Sequence, residues 1–540
     1  MQDICPRTPV DLSDCEAPPI CGTLLRVPFR LSMQPRWIVP GALLAVVFII
    51  NFAAMPALWF PGDPYVWREE ARSLLRDGGL HVDASFAQQS GEYGQYYVFN
   101  PQTSQWYSKY GVMNSLMSLP PTIAEYLIHG RIPRVGELPD LLIFNLYNIL
   151  LSLLVCALLY RITGWYTQQS GVRVAYVLSV FYATFFWYYQ RAQTSEVYQV
   201  LFFIAAFYFL MIYLRGLRRA RGTPELNAEW ALLATWLFVA ALLLTRVLFG
   251  LLIPTIWIAV VYTARGSDRN QYGRTLRQQG VYLVVPVAIM IAALAWINQV
   301  KFGSPWLTGY HQWRPRHHWP TGRWPDGIWG MLFDPQASML LHFPILMFSL
   351  LAVRTFYRRF QLDTVVIFLL PSALFLLLAK TPAWRGEWSY GPRLVIFMLP
   401  MLALPFLLYL EWLAAAPFHA GKWAMLAVTV IALGYSTYLQ YEVNRLEYFT
   451  MYRAADPING ALSLETGRYF LEHQMGVFNH DLIRHRDDLD SLPYVADLKT
   501  RKVSDQRLEQ YKKMLRALAD QNNFYWERPP APATPPQDAR

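Results

Sequence analysis

Charged residues are scarce in this 540-residue sequence: only 16% of its residues are Asp, Glu, Lys or Arg, whereas 54% are hydrophobic. Soluble domains average roughly 25% charged residues. From residue 37 to residue 440 the chain consists of long apolar runs, and almost none of them carries a charge in its middle. Because a charge in a bilayer core costs several kcal/mol, these runs predict membrane-spanning helices and exclude a soluble multidomain enzyme.

Cysteine is also scarce, with Cys5, Cys15 and Cys21 near the N-terminus and Cys156 inside an apolar run. The first three lack paired Cys-x-x-Cys spacing and a second ligand cluster, which favours reduced thiols in a cytoplasmic tail over a zinc site. A cleavable signal peptide is not indicated, because residues 1–35 contain Pro, Asp and Cys before any apolar core. The first span is therefore expected to act as an uncleaved anchor.

Eleven spans are predicted, and the fold class is an all-α integral membrane protein. The spans lie near 37–60, 140–160, 174–189, 197–214, 230–245, 247–263, 281–298, 339–356, 364–379, 394–413 and 423–440. With a cytoplasmic N-terminus, the Lys/Arg bias agrees with the positive-inside rule at nearly every connection, so the formal net charge of +10 indicates topology rather than nucleic-acid binding. A span over 112–129 would reverse that order, and this apolar stretch is predicted to be a juxtamembrane or re-entrant helix.

Three regions are expected along the chain. They are a cytoplasmic tail over 1–36, a transmembrane domain over 37–440 and a periplasmic region over 441–540 that ends in a disordered Pro-rich stretch. The transmembrane domain places four polar segments outside, at 61–139, 190–196, 299–338 and 380–393.

Asp63 follows the first span directly. It has a structural interpretation, since Asp before Pro64 is typical of a helix start. In the helix that follows, an apolar stripe opposite Arg and Glu residues predicts that the helix lies flat on the membrane surface. It also has a functional interpretation, because an acid at the mouth of a membrane cavity can take a proton from an acceptor hydroxyl. Both interpretations stay open on spacing alone.

Lys109, Arg246 and Arg393 fall at the outer ends of elements on the same predicted face as Asp63. Isolated cations at such positions are often interfacial anchors. Several cations on one face are instead typical of an anion site, such as a phosphate. Arg191 and Glu196 share a short outer loop, where they either contact substrate or form a local ion pair.

The outer segment 303–311 and the tryptophans after it are rich in aromatic side chains. Such residues form interfacial belts, and they also stack on sugar rings. His317 and His318 have no acidic or Cys partner at ligand spacing, so no metal site is predicted. The candidate substrate-binding residues on this face are Tyr110, Arg191, Glu196, Tyr310, His311, Glu387 and Tyr390.

In these residues the chain resembles the GT-C superfamily of membrane glycosyltransferases, which includes protein O-mannosyltransferases and lipid A aminoarabinose transferases. The resemblance spans roughly 37–413 and rests on motifs in order: Gly-Asp-Pro at 62–64, Ala-Arg-Ser-Leu-Leu-Arg-Asp-Gly at 71–78, Tyr-Ser-Lys-Tyr-Gly at 107–111, Thr-Ser-Glu at 194–196, Leu-Thr-Arg at 244–246, Phe-Gly-Ser-Pro at 302–305, Gly-Met-Leu-Phe-Asp-Pro at 330–335 and Trp-Ser-Tyr-Gly-Pro-Arg at 388–393. It implies that Asp63 is catalytic and that the donor is a polyprenyl-phosphate sugar.

Many relatives carry a second acid directly after that Asp, where this chain has Pro64. Glu69 and Glu70 are then the nearby substitutes, at a greater distance. The resulting hypothesis is an inverting glycosyltransferase of the bacterial inner membrane, without a cofactor, acting on a periplasmic glycan, lipid or protein hydroxyl. A transporter or flippase for a lipid-linked or anionic substrate is the main alternative, and a membrane scaffold is a third. The sequence identifies neither the sugar nor the acceptor.

Overall fold

The structure is a computed structural model, which describes residues 37–57, 63–84, 87, 96–133, 140–191, 194–219, 229–265, 269–313, 321–334, 338–382, 384, 390–415, 419–445, 482, 484–500, 503–519 and 526. Helices dominate these residues. The first half contains α1 (Ile38–Ala53), α2 (Asp63–Asp77), β1 (Tyr97–Asn100), β2 (Gln105–Ser108), α3 (Val112–His129), α4 (Leu141–Thr163), α5 (Ser170–Tyr182), α6 (Phe186–Arg191), α7 (Ser195–Arg219) and α8 (Glu229–Thr245).

A 3₁₀ segment at Val247–Leu251 leads into the second half of the bundle. Its helices are α9 (Leu252–Ala264), α10 (Arg269–Phe302), α11 (Gly309–Trp313), α12 (Trp324–Phe333), α13 (Met339–His342), α14 (Ile345–Arg359), α15 (Gln361–Ala379), α16 (Leu399–Leu402), α17 (Phe406–Ala414), α18 (Ala420–Arg445), α19 (Pro493–Thr500) and α20 (Asp505–Ala519). A second 3₁₀ segment, Arg393–Met398, precedes α16.

Helices cover most of the described residues in the predicted spans, which is consistent with an all-α membrane protein. Among the described residues, six helices are long and apolar enough to cross a bilayer, and a seventh crossing results if one bent pair is counted. The apolar helices α1, α5 and α8 are shorter. Helix length therefore supports a multi-pass protein, whereas eleven crossings remain a prediction.

Helical breaks account for much of that difference. The predicted span 174–189 is interrupted between α5 and α6, and the predicted span 339–356 is interrupted at Pro344. The predicted span 394–413 bends by 47° between α16 and α17, next to Pro405. Proline has no backbone N–H to donate, so a helix readily stops or bends beside it.

Helix α7 lies at the centre of the bundle. Within its most apolar window 89% of the residues are buried, against 17–56% in the other five long spans. Since a helix rises about 1.5 Å per residue, the two ends of α7 mark two well-separated ends of the bundle. Asp63, Arg246 and Arg393 lie at the ends of elements on the Glu196 side.

The expectation that the charged side of α2 faces water is wrong. Arg68, Glu69, Glu70 and Arg72 are all buried, whereas Leu74 and its neighbour Leu75 are only half-buried. Arg72 forms ion pairs with Glu69 and with Glu125 of α3, at 3.0 and 3.4 Å. The reason is that each buried charge has a partner of opposite sign, on α2 itself, on α3 or, for Glu70, on α10.

Between α2 and α3 the chain forms one antiparallel hairpin, in which Tyr97 pairs with Ser108 and Asn100 pairs with Gln105. The hairpin ends at Ser108, and the next three residues lead directly into α3. Asn100 fastens the hairpin to the end of α10 by donating to the Val300 carbonyl, at 3.1 Å. The hairpin thus connects α2, α3 and α10 around the segment that contains Lys109 and Tyr110.

The region after α18 is described only in part. It contains α19 and α20, packed on Leu489 and Leu492, together with Trp526. The Trp526 indole donates to the Phe52 carbonyl at the end of α1, at 2.8 Å. The Pro-rich stretch, the N-terminal tail and its three cysteines lie outside the described residues. Cys156 is described, and it is buried.

Candidate active site

Asp63 is the first residue of α2, as its helix-start interpretation requires, and it is half-buried. Its carboxylate Oδ1 accepts a hydrogen bond from the Tyr110 hydroxyl. Burial raises the pKa of Tyr110 well above its ordinary value, and the neighbouring Asp63 carboxylate raises it further. The phenol therefore stays protonated and donates its hydrogen bond to Oδ1 of Asp63. The other carboxylate oxygen of Asp63 can still act as an acceptor.

Three tyrosine rings surround the Lys109 ammonium. Its Nζ lies 4.7 Å from the ring centroid of Tyr96, 5.2 Å from that of Tyr110 and 5.9 Å from that of Tyr310. Tyr310 packs edge-on against Tyr110, with 6.1 Å between ring centroids. Rings at these distances stabilise a cation that is largely removed from water. The structure thus brings the sequence-predicted residues Asp63, Lys109, Tyr110 and Tyr310 together.

Gly309 permits this arrangement. A Cβ at this position would lie 2.4 Å from the backbone Cα and the carbonyl oxygen of Lys109, which no side chain tolerates. The backbone that leads into Tyr310 can therefore approach Lys109 only because residue 309 is glycine.

Glu196 and Arg246 form the second group of charges in the site. Glu196 is in the first turn of α7, and Arg246 directly follows α8. An Arg246 Nη lies 3.5 Å from the Glu196 carboxylate, which is at the long limit of a hydrogen bond. The side chain of Glu196 is 4% exposed and that of Arg246 is 15% exposed, so this loose pair is mostly shielded from water.

Arg393 connects the two groups. Its guanidinium interacts electrostatically with the carboxylates of both Glu196 and Asp63. Its Nε is buried and has no hydrogen-bond partner among the residues that the structure describes. The tight turn before it depends on Gly391, whose φ of 63° lies in the left-handed region. Arg393 therefore lies within electrostatic range of Asp63, and one of its buried donors has no partner among the described residues.

The other substrate-binding candidates have different positions. Arg191 donates to the Ala54 carbonyl at 2.7 Å and so fastens the end of α1. Tyr390 donates to Gln440 at 3.0 Å, and its carbonyl accepts from Tyr189 at 2.6 Å. Their contacts support the backbone around the site. His311 is exposed and bonds to Thr308 Oγ1 at 2.7 Å. Glu387 lies outside the described residues.

Neither nearby substitute for a second acid is available to substrate. Glu69 is paired with Arg68 and Arg72, both at 3.0 Å. Glu70 is fully buried and paired with Lys301 at 2.8 Å. Glu196 is the other carboxylate that interacts electrostatically with Arg393, as Asp63 does. Among the residues described, no three His, Cys, Asp or Glu side chains are grouped as metal ligands, and His317 and His318 are not described.

Lys301 is a site component that sequence reasoning missed. It donates to the Tyr110 carbonyl at 3.0 Å and pairs with Glu70. The available signal was its position, a single Lys at the end of a long apolar run, just before the Phe-Gly-Ser-Pro motif at 302–305. Its partner lies 231 positions earlier in the chain, so the pair could not be read from local spacing.

No family model and no curated protein sequence matches this chain. Solved structures do match it. The apo oligosaccharyltransferase from Archaeoglobus fulgidus aligns with a TM-score of 0.50 and 11% identity, over 81% of this chain and 60% of that one. ArnT from Cupriavidus metallidurans, bound to undecaprenyl phosphate, aligns with a TM-score of 0.49 and 14% identity, over 89% of this chain and 75% of that one.

Another oligosaccharyltransferase structure from the same organism gives a similar alignment. Oligosaccharyltransferase AglB from Archaeoglobus fulgidus, in complex with an inhibitory peptide and a dolichol-phosphate, aligns with a TM-score of 0.48 and 11% identity, over 80% of this chain and 59% of that one. This chain therefore spans about 60% of the length of the oligosaccharyltransferase it matches. At these identities the likeness shows the fold alone. The chain shares the fold of that membrane oligosaccharyltransferase, as the resemblance in its motifs implies.

Proposed function

We propose that this protein is an inverting membrane glycosyltransferase that moves a sugar from a polyprenyl-phosphate donor to an acceptor hydroxyl, with Asp63 as general base. The observation that carries the proposal is the arrangement around Asp63. A half-buried carboxylate, held by the neutral Tyr110 phenol, lies within electrostatic reach of Arg393 on a GT-C fold. This arrangement combines a proton acceptor with a cation for a departing anion.

The reaction follows from those two parts. The acceptor hydroxyl gives its proton to Asp63 as its oxygen attacks the anomeric carbon from the side opposite the phosphate. The bond between that carbon and the phosphate oxygen breaks, and the phosphate leaves with the bonding electrons. One displacement at the anomeric carbon inverts its configuration. Lys109, Arg246 and Arg393 stabilise the negative charge that develops on the leaving phosphate.

Burial strengthens these electrostatic effects. Lys109 is 4% exposed, and Arg393 has a buried Nε without a partner among the described residues. Charges that are shielded from water interact more strongly with a phosphate than charges on an open surface do. A bound anion of matching size would also accept a hydrogen bond from the buried Arg393 Nε, which would stabilise the complex.

The membrane fold supports a lipid-linked donor. A polyprenyl chain is as apolar as the helix faces that surround it, so it can lie between spans while its phosphate reaches the charged residues at their ends. We place the site on the periplasmic face of a bacterial inner membrane, because the Arg-rich connections fall on the other side under the positive-inside rule. The acceptor is then a periplasmic glycan, lipid or protein.

A flippase or transporter for a lipid-linked or anionic substrate is the second candidate. Such proteins usually place ionisable groups near the middle of the bilayer. In the described spans, Glu196, Asp363 and Lys301 instead lie within the first or last turns of their helices. That distribution favours chemistry at one face over a route through the membrane.

The decisive experiment offers purified protein in nanodiscs a polyprenyl-phosphate sugar and a hydroxyl acceptor, and then determines the anomeric configuration of the product by NMR. An inverted product supports the proposal, and a retained configuration contradicts it. Movement of a fluorescent lipid-linked sugar across vesicles, without transfer, would favour the flippase. Mass spectrometry of envelope glycans and glycoproteins, with and without the gene, identifies the natural sugar and acceptor.

A further inference from the structure

A buried ion pair holds the short segment that contains both Lys109 and Tyr110. Glu70 Oε1 accepts the Ser108 backbone N–H at 2.8 Å, and the Lys301 ammonium donates to the Tyr110 carbonyl at 3.0 Å. Lys301 and Glu70 pair with each other at 2.8 Å. The pair therefore fixes the backbone on both sides of Lys109, at the Ser108 amide and at the Tyr110 carbonyl. We call Glu70 and Lys301 the clamp.

The clamp also aligns α2 with this segment. Asp63 and Glu70 are seven residues apart on α2, which is two helical turns or about 10 Å along one face. Asp63 contacts the Tyr110 side chain, and Glu70 contacts the Ser108 backbone. Two contacts two turns apart determine both the distance and the direction of the segment relative to the carboxylate of Asp63.

Both carboxylate oxygens of Glu70 accept hydrogen bonds. Its second oxygen, Oε2, accepts from Ser115 Oγ of α3 at 2.5 Å. Glu70 is fully buried and Lys301 is 1% exposed. An ion pair this deep loses much of its attraction to the desolvation of both charges, so it is a weak source of stability. The geometry that this ion pair imposes on the Ser108–Tyr110 backbone explains its presence better than a gain in stability does.

We propose that Lys301 and Glu70 are positioning residues for sugar transfer: the clamp sets the Lys109 ammonium and the Tyr110 phenol at the places where they act on the donor phosphate and on Asp63. This inference rests on the proposed glycosyltransferase function. It adds two residues that touch neither donor nor acceptor and that act through the Ser108–Tyr110 backbone.

The test compares substitutions of two buried cations, Lys301, which pairs with α2, and Arg72, which lies on α2. Lys301→Met removes the ammonium and keeps the length of the side chain. Arg72→Met is the matched control, because Arg72 is equally buried and pairs with Glu69 and Glu125, away from the clamp. Both proteins are purified at full length in nanodiscs, and kcat and the donor KM are measured on the folded fraction.

We expect Lys301→Met to lower kcat by about 10- to 100-fold and to raise the donor KM, since each displaced group contributes a charge-assisted hydrogen bond. Lys301→Arg should recover at least part of kcat, because a guanidinium can still bridge Glu70 and the Tyr110 carbonyl. Arg72→Met should lower thermal stability while kcat and KM of the folded protein stay near the wild-type values. Equal kinetic losses in Lys301→Met and Arg72→Met would overturn the positioning role.

A second measurement does not depend on activity. Hydrogen exchange of a peptide covering 105–111 should accelerate in Lys301→Met and stay unchanged in Arg72→Met, because only the first substitution loosens the acceptor of the Ser108 amide. Unchanged exchange in Lys301→Met would contradict the clamp. If the wild-type protein transfers no sugar while the exchange difference is present, the clamp stands and the proposed function fails.

Discussion

The two ends of α7 each carry an ion pair, and the two pairs are built differently. At one end, Glu196 meets Arg246 at 3.5 Å, and the neighbouring Arg393 keeps a buried Nε without a partner among the described residues. At the other end, Arg215 pairs with Asp363, and its guanidinium also lies 4.3 Å from the centroid of Trp165. From 196 to 215, these ends are about 28 Å apart along the helix.

The comparison separates charge that builds the fold from charge that is available to a ligand. At the Arg215 end, Arg173 likewise donates to the Tyr160 carbonyl at 2.6 Å and lies 3.8 Å from its ring. Both arginines therefore have short contacts within the protein, although the buried Nε of Arg173 has no hydrogen-bond partner among the described residues. At the Glu196 end the ion pair is loose, and Arg393 lies within electrostatic range of Asp63, so these cations can interact with an incoming phosphate.

The largest expected effect is in a topology assay that determines which end of α7 faces the periplasm. Alkaline phosphatase, which is active only outside the cytoplasm, is fused after Tyr441 near the end of α18. We expect full activity there, and none from a fusion within 220–228, the connection that follows the Arg-rich end of α7. The assay is phosphatase activity in whole cells at equal expression. An inactive fusion after Tyr441 would refute the eleven-span topology and the periplasmic site.

Asp63→Asn should reduce transfer by about 10² or more. The amide keeps its size and can still accept from Tyr110, but it cannot take a proton from the acceptor hydroxyl. Asp77→Asn, the same change at the exposed far end of α2, is the control and should leave transfer nearly unchanged. Both are measured by sugar transfer and thermal unfolding in nanodiscs. An active Asp63→Asn protein would leave Asp63 as a structural helix start.

Lys109→Ala or Arg393→Ala should weaken binding of polyprenyl phosphate by about 10- to 100-fold, since each variant loses a charge-assisted hydrogen bond to the phosphate. The control is Arg323→Ala, which removes a cation that is 80% exposed and pairs only loosely with Asp326. Binding is titrated with the lipid phosphate alone, so a slow chemical step cannot affect it. Unchanged binding in both variants would leave Lys109 and Arg393 as interfacial anchors.

Tyr110→Phe should lower transfer by about 10-fold, because the ring still packs while the hydrogen bond to Asp63 is lost. The pH dependence follows from the raised pKa of Tyr110: the phenol keeps its proton as the pH approaches its ordinary value of 10.0. The wild-type enzyme should therefore show no loss of kcat from this group between about pH 7 and pH 9. A Tyr110→Phe protein with wild-type kcat would remove the phenol from the mechanism.

The sequence predicted the fold because its strongest signal, long runs without charge, has one physical solution in a bilayer. It also identified Asp63, Lys109, Tyr110 and Tyr310, which the structure brings together. It misjudged α2, because a helix with charges on one side looks amphipathic whether those charges meet water or buried partners. The clamp was missed for a related reason: Glu70 and Lys301 are adjacent only in three dimensions.

The helical breaks could not be predicted from amino-acid composition either. An apolar run reads alike whether the helix continues or stops, so the interruption between α5 and α6 carried no signal. Pro344 and Pro405 could have indicated the other two breaks. The roles of Arg191 and Tyr390 depend on which carbonyl or amide each side chain reaches, and this follows from packing alone.

The smallest expected effect on transfer comes from Asp363→Asn at the far end of α7. The substitution removes the charge that Arg215 pairs with, although the guanidinium keeps its contact with Trp165. We expect a loss of roughly 1–3 kcal/mol in stability, because a buried hydrogen bond between charges is weakened. Transfer per folded molecule should stay within about twofold of wild type, because no step of the reaction uses this end. Thermal unfolding and kcat/KM on the same preparation separate the two quantities. A tenfold loss of kcat/KM at unchanged stability would mean that the two ends are coupled, and the Arg215 pair would then belong to the mechanism.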